Sequence, residues 1–153
     1  MTTEPDTRIR NAPRALIIRD DRILLLRKRD EIKGERFALP GGAQEPGETL
    51  EQALNRECRE EIGTDVTILD LLHVADYFKP RATVPPSTRQ LVEFLFSCDV
   101  PDNYHAHNGH RPDKHQIEVV WTPLNVLRDI PLLPLSLAGR LTGDTGVYLG
   151  TLD

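Results

Sequence analysis

Three carboxylates, Glu57, Glu60 and Glu61, crowd the eight-residue run RECREEIG at positions 56–63. At 3.6 residues per turn, Glu57 and Glu61 fall one turn apart on the same helical face, and Glu60 stands beside them at i,i+3. Like charges at these spacings oppose a helix by roughly 0.2–0.5 kcal/mol per pair, so an ordinary surface helix gains nothing by clustering them. A hard divalent cation removes the repulsion, because Mg²⁺ takes carboxylate oxygens and completes its shell with water and phosphate oxygens. Upstream, Gly41-Gly42 offers a turn whose backbone can approach a metal or a phosphate closely. These residues read as a magnesium platform for phosphate chemistry on an acidic helix.

Several elements must hold that helix in place. Thr49 is placed to cap it, with Gln52 completing a capping box. Leu50, Ala53, Leu54, Cys58 and Ile62 form its core-facing stripe, and Gly63 ends it. Ahead of the helix, residues 12–19 and 22–29 are aliphatic runs around Asp20-Asp21 and read as a hairpin, followed by a short strand at 36–39. Behind it, 66–78 and 90–100 read as long strands, and 117–121 as a last strand. A short helix starts at Pro123, and 130–140 reads as a Pro-interrupted helical piece. Residues 1–9 are expected to be a flexible N-terminal segment and 10–153 a single domain. Mixed strands around one catalytic helix and a C-terminal helix predict an α/β/α sandwich with a mixed β-sheet.

Two connections stand out. Residues 79–89 (KPRATVPPSTR) are basic, Pro-rich and read as too irregular to pair. Residues 101–115 hold four of the five histidines and read as a mobile lid whose histidines and Arg111 meet substrate. The spacing of His105, His107, His110 and His115 includes no Cys partner and matches no structural zinc pattern.

Composition narrows the class. A chain of 153 residues is a natural size for one domain. Its formal net charge of −5 argues against a protein that binds nucleic acid through its overall field. Cys58 and Cys98 are far apart in sequence, residues 1–14 have no apolar signal-peptide core, and no stretch reaches membrane-spanning length. The expectation is a soluble cytoplasmic enzyme with no membrane or nucleic-acid partner.

The run from Gly42 to Thr64 resembles the Nudix hydrolase family. Its box reads Gly, five residues, Glu, seven residues, Arg-Glu, aliphatic, any, Glu-Glu, any, Gly, aliphatic. Gly42, Glu48, Arg56, Glu57, Glu60, Glu61 and Gly63 all fall at these positions, while Cys58 and Thr64 replace the two aliphatic residues. The resemblance implies Mg²⁺, with Mn²⁺ as a substitute, held chiefly by Glu57 and Glu61, with Glu60 and the Gly41 carbonyl as further ligands. It implies that Arg56 orients these carboxylates and that Glu48 braces the loop. It also implies an Arg of the second strand on a phosphate, for which Arg27 and Arg29 share a face, with Arg36, Lys79, Arg81 and Arg89 as further cations. An aromatic such as Phe37 often stacks on a base in the family, although core packing is the commoner fate of such a residue. Relatives take their catalytic base from a loop before the last strand. The matching position is His115, Glu118 is the nearest acid, and Glu60 is the fallback. The implied reaction is hydrolysis of a nucleoside diphosphate linked to another moiety: a nucleoside triphosphate, an oxidised nucleotide, a nucleotide sugar or ADP-ribose. A catalytically silent nucleotide sensor and an RNA 5′-end pyrophosphohydrolase are the alternatives. Homodimers are common among such proteins.

Overall fold

The computed structural model describes residues 8–142 and 146–153. Among them, β1 (Ile9–Arg19), β2 (Arg22–Asp30) and β3 (Gly34–Ala38) precede the helix α1 (Leu50–Ile62). There follow β4 (Thr67–Arg81), β5 (Ser87–Asp99), β6 (Gln116–Pro123), a 3-10 turn (Leu124–Asp129), α2 (Leu137–Leu141) and β7 (Tyr148–Leu152). The expected N-terminal segment 1–9 lies outside the described residues except for its last two, and Ile9 already pairs with Gln90.

The strands run β3-β2-β1-β5-β4-β7, with β6 on β2. β1/β5 and β4/β7 are parallel and the remaining pairs antiparallel, so the sheet is mixed. Asp20 and Asp21 both have positive φ (53° and 60°), as a two-residue hairpin turn of the primed type requires. β1 and β2 pair only beside this turn, at Ile18↔Ile23 and Arg19↔Arg22. Farther along, β1 follows β5 while β2 follows β6 and β3. The Pro40–Gly42 turn occupies the place β2 has left on β1, with Ala15 N–H donating to the Pro40 carbonyl at 2.9 Å.

Alternation along β2 divides the core. Ile23 and Leu25 pack with Leu16, Phe37, Leu127, Leu132 and Leu137 on one side. Leu24 and Leu26 pack with Ile17, Leu54, Cys58 and Ile62 of α1 on the other. A sheet buried on both faces explains why β2 reads as a continuous apolar run instead of an alternating one. α1 covers one face and α2 with the 3-10 turn covers the other, which is the expected sandwich.

Two expectations need correction. Residues 79–89 are not an unpaired loop: Lys79↔Arg89, Pro80↔Thr88 and Arg81↔Ser87 extend the β4–β5 hairpin and leave a tip of only five residues, 82–86. Register between two long antiparallel strands outweighs the local irregularity of a Pro-rich run. The strand at 116–123 is also not the last, because β7 adds in parallel to β4. Helical structure within 130–140 is confined to α2, beyond Pro131 and Pro134. Among the described residues no helix is long and apolar enough to cross a membrane.

Candidate active site

Local sequence fixes both ends of α1. Thr49 Oγ1 accepts the Gln52 N–H at 3.1 Å and Gln52 Oε1 accepts the Thr49 N–H at 2.9 Å, a complete capping box. Gly63 takes a left-handed conformation (φ 74°) and its N–H donates to the Cys58 carbonyl. The buried face comprises Ala53, Leu54, Cys58 and Ile62, and also Glu61, which is 2% exposed.

Glu61 is held by the glycine turn. Its Oε1 accepts the Gly41 N–H at 2.8 Å. Gly41 has φ 137°, and a Cβ there would lie 2.2 Å from the Pro13 carbonyl oxygen, so only glycine fits. A Cβ on Gly42 would lie 2.6 Å from the carboxyl carbon of Glu57. Arg56 ties this loop to the helix: Nε and Nη2 donate to Glu48 at 2.7 and 3.0 Å, and Nη2 also donates to the Ala43 carbonyl. Its Nη1 donates to Glu57 Oε1 at 3.0 Å and lies 3.5 Å from Glu60.

The electrostatics of the two helix carboxylates match a cation site. Burial pushes the Glu61 carboxyl well above its ordinary range, against the Gly41 hydrogen bond, and the nearby Glu57 adds to the rise. Burial also raises Glu57, against the hydrogen bond and charge of Arg56. Both line a cleft of ≈ 280 Å³ together with Gly41 and Gly42. Among the described residues no three His, Cys, Asp or Glu side chains converge into a preformed cage. Two carboxylates beside a backbone carbonyl nevertheless suit Mg²⁺, which is commonly held by one or two carboxylates and completed by water and phosphate. The Gly41 carbonyl already accepts Arg14 Nη1 at 3.0 Å, which leaves it one lone pair for a metal.

The rest of the cleft is strongly charged. Arg14, Lys28, Lys33, Arg36, Lys79 and Arg89 line it with only two further carboxylates, Glu93 and Asp113. Arg14 pairs with Glu93 (2.8 Å), Lys28 with Asp113 (2.8 Å) and Arg36 with Asp30 (2.7 Å). Burial and the like charges of Arg14 and Lys28 bring Lys79 down to about 8. Burial pushes Asp113 up, but the Lys28 hydrogen bond and charge, with the Lys114 N–H, outweigh it and hold the carboxyl below its usual value.

Several sequence-based candidates lie elsewhere. Arg27 and Arg29 do not line the cleft. Arg27 donates to Glu118 at 2.7 Å and to Glu35, Arg29 is exposed, and Lys28 between them faces the cleft. Alternation was the correct principle, applied to the wrong face. Glu118 sits opposite Arg27 in the β2/β6 register and is neutralised there. His115, with φ 65°, lies outside the cleft wall, 3.9 Å from Asp30. Glu60 is likewise off the wall, beside Arg56. Phe37 borders the cleft but is 8% exposed within the core, which leaves little ring face to stack on.

Residues 101–115 are irregular, as expected, but are not a free lid. Gly109 N–H donates to the Glu61 carbonyl and Arg111 N–H to the Glu60 carbonyl, while Tyr104 Oη donates to the Ile62 carbonyl and Gln116 Nε2 to that of Glu61. The loop therefore caps the C-terminus of α1 and carries Asp113 into the cleft. Asp113, Arg14, Lys28, Lys33 and Glu93 were the functional candidates missed from sequence. Arg14 and Glu93 carried a signal, since each interrupts an apolar strand with a charge.

The NUDIX domain model matches residues 9–139. The chain belongs to the NUDIX domain family. Nucleoside triphosphatase NudI of Enterobacter sp. (strain 638) is 36% identical over 66 residues, 40% of this chain and 47% of that protein. The ADP-ribose pyrophosphatase of Methanocaldococcus jannaschii is 48% identical over 60 residues, 39% of this chain and 35% of that protein. The chain thus matches less than half the length of these curated relatives. Among solved structures, a MutT NUDIX hydrolase from Burkholderia pseudomallei superposes with TM-score 0.67 at 25% identity, covering 89% of this chain and 99% of that one. The E. coli ORF135 protein gives TM-score 0.58 at 28% identity, covering 86% of each chain. The NUDIX box of this chain is the segment that carries Glu57, Glu61 and the glycine turn.

Proposed function

We propose that this chain is a Mg²⁺-dependent pyrophosphohydrolase acting on a nucleoside diphosphate linked to another moiety, with nucleoside triphosphates and ADP-ribose as the first substrates to test. The observation that carries the reading is the meeting, in one cleft, of two desolvated helix carboxylates with a wall of cations that outnumber the acids. A diphosphate between the two walls would satisfy both, since its charge would pair with the lysines and its oxygens would be available to a cation held by the carboxylates. The names of the two relatives above, a nucleoside triphosphatase and an ADP-ribose pyrophosphatase, support that substrate class.

Bound Mg²⁺ would supply Lewis-acid polarisation of the phosphate oxygens and of the attacking water. Glu57, Glu61 and the Gly41 carbonyl are the groups to hold it. Lys28, Lys33 and Lys79 bind and orient the polyphosphate, and Lys33 and Lys79 carry no ion pair among the described residues that must be broken first. Asp113 takes the proton of the attacking water. It is the loop carboxylate that lines the cleft, is ionised at neutral pH, and retains lone pairs beyond those used by Lys28 and the Lys114 N–H. Arg56 orients Glu57, and Glu48 fixes Arg56.

The test is product release with Mg²⁺ over nucleoside triphosphates, oxidised nucleotides, ADP-ribose, sugar nucleotides and 5′-triphosphate RNA, beside Glu61→Gln. Turnover of one class, reduced at least about a hundredfold in the variant, is expected. Tight nucleotide binding without Mg²⁺-dependent turnover would replace this reading with that of a sensor.

A further inference from the structure

We infer that Glu93 and Arg14 are positioning residues for the catalytic helix, acting through the residue Gly41 on Glu61; the inference rests on the function proposed above. Glu93 lies in the middle of β5, beside Ala12 of β1 and Ala75 of β4 in the sheet registers, and is 3% exposed. Those two alanines, both fully buried, leave room for a guanidinium over the strand. Arg14 fills it, with Nε donating to Glu93 Oε2 at 2.8 Å and Nη2 to Oε1 at 3.4 Å. The third nitrogen of the fork, Nη1, donates to the Gly41 carbonyl at 3.0 Å. The N–H of that same residue donates to Glu61 Oε1 at 2.8 Å. Four groups therefore form one chain of contacts, from a carboxylate in β5, through a guanidinium and a glycine residue, to a carboxylate of α1.

Two features separate this chain of contacts from ordinary packing. A buried Arg–Glu pair is weak evidence for stability, because well-packed apolar residues of similar volume often replace such a pair without loss. Geometry is what a guanidinium fork adds: its donors leave in fixed directions, so anchoring two on Glu93 sets where the third points. The anchored group also sits on a glycine, which does not restrict its own dihedrals. Gly41 has φ 137°, a conformation open to glycine but not imposed by it; Ala15 N–H on the Pro40 carbonyl at 2.9 Å ties the peptide before it to β1, and the longer Gly42 N–H bond to the Pro13 carbonyl at 3.3 Å ties the peptide after it. Without the Arg14 donor the Gly41–Gly42 peptide keeps, among the described residues, only the 3.3 Å bond from Gly42 N–H to the Pro13 carbonyl, and a turn about the Gly41 Cα would shift the N–H that Glu61 accepts.

The experiment uses the full chain with Arg14→Met/Glu93→Leu, which removes both charges at similar volume, and Arg14→Lys, which keeps the charge but not the fork. For the double variant, a melting temperature near that of the wild type, kcat lower by about 10–100-fold and KM changed by less than about threefold are expected. Arg14→Lys should show the same split between kcat and KM. Mn²⁺ alone, titrated into substrate-free protein and followed by its electron paramagnetic resonance, should bind about tenfold more weakly in both variants. The Gly41 amide should exchange with solvent faster in both. Wild-type kcat in either variant, or a change confined to KM, would overturn the positioning role. Unchanged exchange at the Gly41 amide would overturn it even if the wild type hydrolysed none of the substrates tested, an outcome that separately refutes the proposed function.

Discussion

Replacing Glu61 with Gln is expected to lower turnover at least about a hundredfold while making the metal-free protein more stable at neutral pH. Glu61 is 2% exposed, and among the described residues its carboxylate accepts one hydrogen bond, from the Gly41 N–H. Desolvating a carboxylate costs several kcal/mol, and a hydrogen bond to a charged group returns about 1.5–3 kcal/mol, leaving a deficit of about 2 kcal/mol. Gln keeps an acceptor for the Gly41 N–H and removes the charge. At about 2–4 °C per kcal/mol for a chain of this size, the melting temperature in EDTA should rise by about 4–8 °C near pH 8. The sign with pH follows from burial raising the Glu61 carboxyl above its ordinary 4.5. The native state then binds the proton more tightly than the unfolded chain does, so stability is highest below 4.5 and falls as pH climbs toward the folded value. The gain from Gln should therefore grow as pH rises above 4.5 toward the folded value. Added Mg²⁺ should reverse the order, because the cation stabilises the wild type by mass action and finds no anionic partner at position 61 in the variant. Thermal melts at several pH values, with EDTA and with Mg²⁺, give the result. A variant less stable than the wild type in EDTA near pH 8, or a difference that does not change with pH, would refute the reasoning.

Gly42→Ala would put a Cβ 2.6 Å from the Glu57 carboxyl carbon. Activity should fall at least about tenfold while the melting temperature barely moves, since a flexible side chain gives way. Gly41→Ala meets backbone at 2.2 Å and should instead prevent stable folding, read as loss of soluble protein. Asp113→Asn should lower kcat about a hundredfold at nearly constant KM in steady-state kinetics. The Lys28 pair holds the Asp113 carboxyl below its usual 3.8, so this group should leave no acid limb above about pH 4 in the wild type. Lys79, held at about 8, should bind phosphate only as the ammonium: KM should rise as pH passes through about 8, and Lys79→Gln should show a raised KM without that limb. Lys28→Gln should raise KM where Arg27→Gln leaves it unchanged, because only the former faces the cleft.

What was legible in the sequence was what lies close along the chain. The capping box at Thr49 and Gln52, the glycine stop at Gly63, the hairpin at Asp20-Asp21 and the carboxylates of α1 each depend on residues within a few positions of one another. What was not legible depends on pairing between distant segments. Which face of β2 meets the cleft is decided by how it packs between β6, β3 and α1, so Lys28 could not be preferred over Arg27 and Arg29 by alternation alone. The partners of Arg14 and Asp113, residues 79 and 85 positions away, appear only once the sheet is assembled. β7 is short and takes its place from β4, and the pairing of residues 79–89 is imposed by the strands that lead into it.

The binding of the 101–115 loop to the end of α1 bears on how the substrate range of this scaffold could change. Loop length is the cheapest variable for remodelling a cleft, because added residues cost little closure entropy. Between β5 and β6 that freedom is spent. The loop supplies the donors for the Glu60, Glu61 and Ile62 carbonyls, so an insertion would uncap the helix that bears the acidic pair. The β4–β5 hairpin carries no such duty at its tip, where residues 82–86 stand beyond the last paired rung and both arms reach the cleft through Lys79 and Arg89. Diversification of this scaffold, natural or in a library, has its permissive site there.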